Sequence, residues 1–319
     1  MTWQPSHDDP LLILAMDHRG SFGTSLFDVT DDGPTPEQTA AMTRAKTVIS
    51  HGLHRARTRL RVGRAGVLVD ERYGAEVIAQ ARAGGVGGVG DAQGEASQPV
   101  VLAIPVEASG HPWFTLEWGD LWQEHVTSVR PDYAKVLVRD NPDFDAADRA
   151  GQLERLADVG RGLAALDVPL IYELLVPATD AQLAAVGGDV NRYDLEVRPA
   201  LVAQVIADNQ QGGVEPALWK VEGLETIEDA QLVADRARQG GRTADLIVLG
   251  RDAPKERVDH WLEVAAHVDA FVGFAIGRSI WEDGVQAWRA GTLDDDGLVS
   301  QVAERYLGFA DVFTDPLIG

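Results

Sequence analysis

The stretch Ala217-Leu218-Trp219-Lys220-Val221-Glu222-Gly223 is an apolar run closed by a turn residue, and it carries a lysine where lysine is normally excluded. Apolar content without polar alternation is what a parallel strand covered on both faces shows. The chain has 24 arginines but only four lysines, Lys46, Lys135, Lys220 and Lys255, and two of these fall in strand-like runs. They are Lys220 and Lys135, the latter within Tyr133-Ala134-Lys135-Val136-Leu137-Val138. An amine in an apolar pocket beside a second cation loses its proton readily and becomes a nucleophile toward carbonyls. The competing reading is a strand-end lysine that snorkels to water or pairs with a carboxylate such as Glu222.

Working outward, the same kind of run recurs at Leu11–Asp17, Ala65–Asp70, Pro99–Pro105, Tyr133–Val138, Pro169–Leu175, Ala244–Gly250 and Ala270–Gly277, giving eight with Ala217–Glu222. Strand starts are spaced 26 to 54 residues apart, with helical patterns between them such as Asp145–Leu166, Asp194–Asn209, Thr226–Gln239, Lys255–Val268 and Trp281–Arg289. Eight strand–helix units close most simply into one α/β domain over residues 1–319, a single (β/α)8 TIM barrel. Asp294–Phe313 reads as a final helix behind an acidic cap. Pro177–Arg192, after the fifth strand, is placed to cover the barrel mouth.

Glycine-rich Ala83–Ser97 contains Gly85-Val86-Gly87-Gly88-Val89-Gly90, which satisfies G-x-G-x-x-G in form only. A dinucleotide site needs that pattern to leave a strand and open a helix; here it follows a helical pattern and runs into loop chemistry, so a surface loop is expected.

Composition sets bounds. A formal charge of −22 opposes nucleic-acid binding, because little basic surface remains to neutralise phosphates. No apolar run reaches the roughly 20 residues of a membrane span, and no basic segment precedes an apolar stretch at the N-terminus. The expected location is the cytoplasm. With no cysteine there are no disulfides or thiolate sites, and the eight histidines show no His-x-His or His-Glu-x-x-His spacing. Neither a metal nor another cofactor is expected. The sequence leaves open a homo-oligomer.

In a (β/α)8 barrel the chemistry gathers at the C-terminal strand ends. There the sequence places Asp17-His18-Arg19, Asp70, Glu107, Lys135, Glu173, Lys220-Val221-Glu222, Gly250-Arg251-Asp252 and Gly277-Arg278-Ser279. Phosphates commonly bind at the loops after strands seven and eight. Gly250 and Gly277 permit close backbone approach there, Arg251 and Arg278 offer guanidinium forks, and Ser279 is a further contact. His18, Asp70 and Glu107 are candidate substrate contacts.

Six motifs in order over residues 11–290 carry a resemblance: Ala15-Met16-Asp17-His18-Arg19-Gly20, Val67-Leu68-Val69-Asp70-Glu71-Arg72-Tyr73-Gly74, Ala134-Lys135-Val136-Leu137-Val138, Tyr172-Glu173-Leu174, Trp219-Lys220-Val221-Glu222 and Gly273-Phe274-Ala275-Ile276-Gly277-Arg278-Ser279. The chain resembles the lysine-dependent class I aldolases of the tagatose-bisphosphate type. It resembles more closely the aldolase-like domain of unknown function, DUF2090, associated with myo-inositol catabolism.

The resemblance implies a Schiff-base role for Lys220 and catalytic roles for Lys135, Glu173 and Asp17, with Arg19 holding the distal end of the substrate. His18 stands where that family usually has glutamine. The implied reaction is retro-aldol cleavage of a phosphorylated keto sugar or keto sugar acid to dihydroxyacetone phosphate. The foremost substrate is 2-deoxy-5-keto-gluconate 6-phosphate, with malonic semialdehyde as the second product. Tagatose or fructose bisphosphate and sulfofructose phosphate are the alternatives within the class, and a sugar-phosphate-binding barrel without turnover is the alternative outside it.

Overall fold

A computed structural model describes residues 3–83 and 98–316. Eight parallel strands form a closed barrel in sequence order: β1 (Leu11–Met16), β2 (Arg64–Val69), β3 (Val101–Pro105), β4 (Tyr133–Arg139), β5 (Leu170–Leu175), β6 (Leu218–Glu222), β7 (Asp245–Leu249) and β8 (Phe271–Ile276). The last strand pairs with the first through Leu11 and Gly273. This is a single (β/α)8 barrel, as the spacing of the runs predicts.

The helices are α1 (Gly20–Phe27), α2 (Pro36–Arg57), α3 (Glu71–Arg82), α4 (Trp122–Val129), α5 (Ala146–Ala165), α6 (Asp180–Ala185), α7 (Val190–Glu196), α8 (Arg198–Gln211), α9 (Ile227–Ala237), α10 (Lys255–Ala265), α11 (Arg278–Arg289) and α12 (Asp295–Thr314). Asp294 caps α12 by accepting from Gly297 N, where the acidic run predicts a start. α12 packs on α2, where Val302 lies against Gly52. Among the described residues no helix is long and apolar enough to cross a membrane. The glycine pattern at 85–90 lies outside the described residues.

Side-chain alternation divides the core in two. Leu11, Ile13, Ala15, Ala103, Tyr133, Ile171, Leu218 and Ile247 fill the barrel interior, while Leu12, Leu14, Met16, Val136, Tyr172, Trp219 and Val221 pack outward against the helices. The same parity carries upward, so Asp17, Lys135, Glu173 and Lys220 face the lumen one layer above the apolar plug. Gly273, at φ +139°, sits where an added Cβ would come 1.9 Å from Leu11 O, so only glycine lets β8 close onto β1.

Candidate active site

A cavity of about 340 Å³ opens at the C-terminal end of the barrel. Its floor is a ring of charged side chains buried almost completely, with Lys135 0%, Lys220 2%, Glu173 5% and Glu107 6% exposed. Lys135 Nζ lies 2.7 Å from Asp17 Oδ2, 2.8 Å from Glu107 Oε1 and 3.0 Å from Glu173 Oε2. The other oxygen of Glu173 lies 2.9 Å from Lys220 Nζ. Glu173 thus bridges the two lysines. Its contact with Lys135 is one of charge, without hydrogen-bond alignment.

These contacts surround the Lys135 ammonium with carboxylates. Burial disfavours the Lys135 ammonium, but Asp17, Glu107 and Glu173 overcome it and hold its pKa well above that of an ordinary lysine. Burial also pushes the carboxyls of Asp17 and Glu173 up, and Lys135 outweighs it with help from Lys220, leaving both below the usual range. At Glu107 burial wins over Lys135 and Arg19, so its carboxyl is raised. Glu107 Oε2 is buried without a hydrogen-bond partner. The ring therefore holds two firmly ionised carboxylates and one that takes up a proton more readily.

His18 also lines the cavity, edge-on to Trp281 at 5.6 Å between ring centroids, with Nδ1 unpartnered. Burial lowers its pKa to about 4 against the pull of Asp17, so it is a neutral imidazole near pH 7. Behind it, Gly277 has no room for a side chain: a Cβ would fall 2.5 Å from Ala15 O and 3.0 Å from His18 Cε1.

The loops after β7 and β8 meet at the rim as predicted, with Gly250, Arg251, Gly277, Arg278 and Ser279 all lining the cavity. They divide the work differently from the expectation. Arg251 is committed to Asp194 at 2.7 Å and Glu222 at 3.1 Å. It adopts a left-handed conformation, φ +48°, followed by Asp252 at +59°, so it serves as a clamp on a strained turn. Arg278 opens α11 and pairs with Asp252 at 2.8 Å, about a third exposed. Such a half-exposed pair is weak, and an incoming dianion at the helix N-terminus can compete for it. Ser279 Oγ donates to Ala253 O, tying the two loops together.

Three expectations are corrected. Asp70 does not reach the cavity; it caps α3 through Tyr73 N and pairs with the buried Lys46, because the chain turns into α3 at this residue. Arg19 lines the cavity, but its guanidinium is spent on Glu107 O at 2.7 Å, Glu107 Oε1 at 3.5 Å and Glu117 at 3.2 Å, so it does not present a free cation to the substrate's distal end. Residues 177–192, expected to cover the mouth, contribute nothing to the cavity lining. That wall comes from the loop after β3, Ala108 to Thr115, folded back by Ala108 N donating to Thr115 O and by the Glu107–Leu116 bridge.

Two basic residues carry no role assigned from the sequence. Lys46 on α2 is fully buried and donates to Met16 O at 2.6 Å, His18 O at 3.0 Å and Asp70, pinning the end of β1. Amphipathic helix patterning gives no hint of such a partner. Arg139 lines the cavity from the end of β4 and had a legible signal, since 135, 137 and 139 share one strand face. Among the described residues no group of three or more His, Asp or Glu side chains is arranged to hold a metal ion.

A charged ring of two lysines and three carboxylates at the C-terminal mouth defines the class, a (β/α)8 barrel with a paired-lysine centre. The chain belongs to the DUF2090 family, described as uncharacterized proteins conserved in bacteria, whose pattern matches residues 1–316. No curated protein matches it. Among solved structures it is similar to a fructose-bisphosphate aldolase from Plasmodium falciparum, solved with TRAP and a small-molecule inhibitor, at TM-score 0.58 and 13% identity over 95% of this chain and 88% of that one. It is similar to Cgl0159 from Corynebacterium glutamicum at TM-score 0.56 and 17% identity, covering 95% and 85%. It is also similar to a Schiff-base-forming fructose-1,6-bisphosphate aldolase at TM-score 0.50 and 16% identity, covering 93% and 94%. At these identities the likeness is one of fold.

Proposed function

We propose that the protein is a class I aldolase whose Lys220 forms a Schiff base with a phosphorylated keto sugar or keto sugar acid. The observation that carries this reading is Glu173 in contact with both Lys220 and Lys135 inside one buried cavity. A lysine serving only as a structural cation is satisfied by one carboxylate; here a second lysine occupies the other oxygen of that carboxylate, which suits a group that must pass a proton and stay oriented. The family match and the aldolase fold neighbours support the reading.

The free amine of Lys220 adds to the keto carbon adjacent to the phosphate-bearing carbon, and loss of water from the carbinolamine gives an iminium. Glu173 relays the protons of these steps. The carbon–carbon bond beyond the neighbouring hydroxyl-bearing carbon then breaks, its electron pair flowing into the iminium to give an enamine. The proton of the hydroxyl that becomes the aldehyde passes to Glu173 or Asp17. Protonation of the enamine carbon and hydrolysis release dihydroxyacetone phosphate and return Lys220.

The foremost substrate is 2-deoxy-5-keto-gluconate 6-phosphate, cleaved to dihydroxyacetone phosphate and malonic semialdehyde. Tagatose or fructose bisphosphate and sulfofructose phosphate are the competing members of a test panel. Borohydride reduction in the presence of dihydroxyacetone phosphate is expected to leave a stable adduct on Lys220, located by peptide mass analysis. Absence of any adduct would favour a barrel that binds sugar phosphate without turnover. Cleavage is expected to persist in chelator, since the iminium serves as the electron sink.

A further inference from the structure

Four guanidinium groups line the cavity, those of Arg19, Arg139, Arg251 and Arg278. Three are ion-paired, Arg19 with Glu107 and Glu117, Arg251 with Asp194 and Glu222, and Arg278 with Asp252. Arg139 has no carboxylate partner among the described residues, in a chain with 50 acidic and 28 basic side chains. The neighbouring Asp140 is taken by Arg149 at 2.6 Å. Several arginines lack a carboxylate partner among the described residues; Arg139 is the one of them that lines this cavity, where its solvent-exposed guanidinium is free to meet an anion.

Its place is fixed by the strand. Lys135, Leu137 and Arg139 line the cavity at two-residue spacing on β4. Register runs from Leu137 through Glu173 to Lys220, and Arg139 pairs with Leu175. Arg139 therefore stands two residues, roughly 7 Å, closer to the mouth than the level of Lys220. β4 and β8 are four strands apart in an eight-stranded closed barrel, on opposite walls, so Arg139 faces the side of the mouth from which Arg278 projects. The strand end is held by Gln152, whose Nε2 donates to Arg139 O at 3.1 Å while its Oε1 accepts from Phe114 N at 2.9 Å. That bond couples Arg139 to the loop forming the cavity wall.

We infer that Arg139 is the specificity-determining anchor for a second anionic group, at the end of the substrate remote from the phosphate held near Arg278. The assignment rests on the proposed reaction for what lies between the two anions. It moves the distal contact from Arg19, whose two terminal nitrogens are committed to Glu117 and Glu107, to the guanidinium lining the cavity that lacks an acidic partner among the described residues. Substrates carrying an anion at each end are selected over those with a single phosphate and a neutral tail.

The test separates binding from lysine chemistry by using the Lys220→Met protein, titrated with hexitol 1,6-bisphosphate and with hexitol 1-phosphate as inert probes. The two-anion probe is expected to bind about 10- to 100-fold more tightly, the range of one charged hydrogen-bonded contact. Adding Arg139→Gln should bring the two probes to within about threefold of each other, mainly by weakening the bisphosphate. Equal affinity for the two probes, an equal loss for both on substitution, or no binding of either would overturn the assignment. Borohydride trapping of the unsubstituted protein with dihydroxyacetone phosphate reads the lysine chemistry separately. An adduct without probe discrimination would remove only the role of Arg139, and discrimination without an adduct would remove only the Schiff base.

Discussion

Glu173 Oε1 stands 2.9 Å from Lys220 Nζ, and both groups are almost wholly withdrawn from water. A buried carboxylate this close offers the amine a proton acceptor that needs no solvent, and Lys135 on its other oxygen helps keep that carboxylate ionised.

Lys220→Met is expected to abolish both cleavage and borohydride trapping, because a side chain of similar length fills the space without a nucleophile. Turnover within about tenfold of the parent, a barrier change of roughly 1.4 kcal/mol, would show that another residue forms the intermediate.

Lys135→Met removes the cation that Asp17, Glu107 and Glu173 share. Chemical denaturation should show a loss of roughly 3–5 kcal/mol, the range for a buried charge left without its partner. Glu107→Gln on that background should recover part of it, since one of three repelling carboxylates is removed; no recovery would mean that the cost is one of packing.

Arg278→Ala should weaken use of a phosphorylated substrate by roughly 1–3 kcal/mol in kcat/KM and leave a non-phosphorylated analogue little changed. The range is modest because the guanidinium is about a third exposed and already paired with Asp252. Equal losses for the two substrates would make Arg278 a structural link between the loops after β7 and β8.

Lys46→Met tests the buried cation outside the cavity. It leaves Asp70 unpaired, so stability should fall by about 3–5 kcal/mol, with Asp70→Asn restoring part of it. Trapping at Lys220 should persist in the folded fraction, and its loss would show that the Lys46 contacts to Met16 O and His18 O shape the site itself.

Stability is expected to fall as pH drops from 6.5 to 4. His18 and His54 are each lowered by burial to about 4, so in that window the unfolded chain takes up protons on them while the folded chain does not. The loss should be roughly 3 kcal/mol from His18 and less from the partly exposed His54, and the double substitution His18→Asn, His54→Asn should flatten it. An unchanged slope would assign the loss to other groups. Asp17 and Glu173, held below the usual carboxylate range, add a further loss that begins at about pH 5 and grows as pH falls.

The barrel and the composition of its mouth are legible along the chain, because strand alternation is a local property. Once Leu218 is inside, Lys220 is inside as well, and the same step of two residues delivers Lys135, Glu173 and Asp17 to the lumen. Which cations remain available is set by the fold. Asp17, Glu107 and Glu173 come from separate segments of the chain, and the folded barrel brings them within 3.0 Å of Lys135. Closure likewise spends Arg19 on Glu107 and Glu117, spends Arg251 on Asp194 and Glu222, and turns Asp70 toward Lys46. Charge pairing is set by distances of a few ångströms between remote segments, and no pattern along the chain encodes those distances.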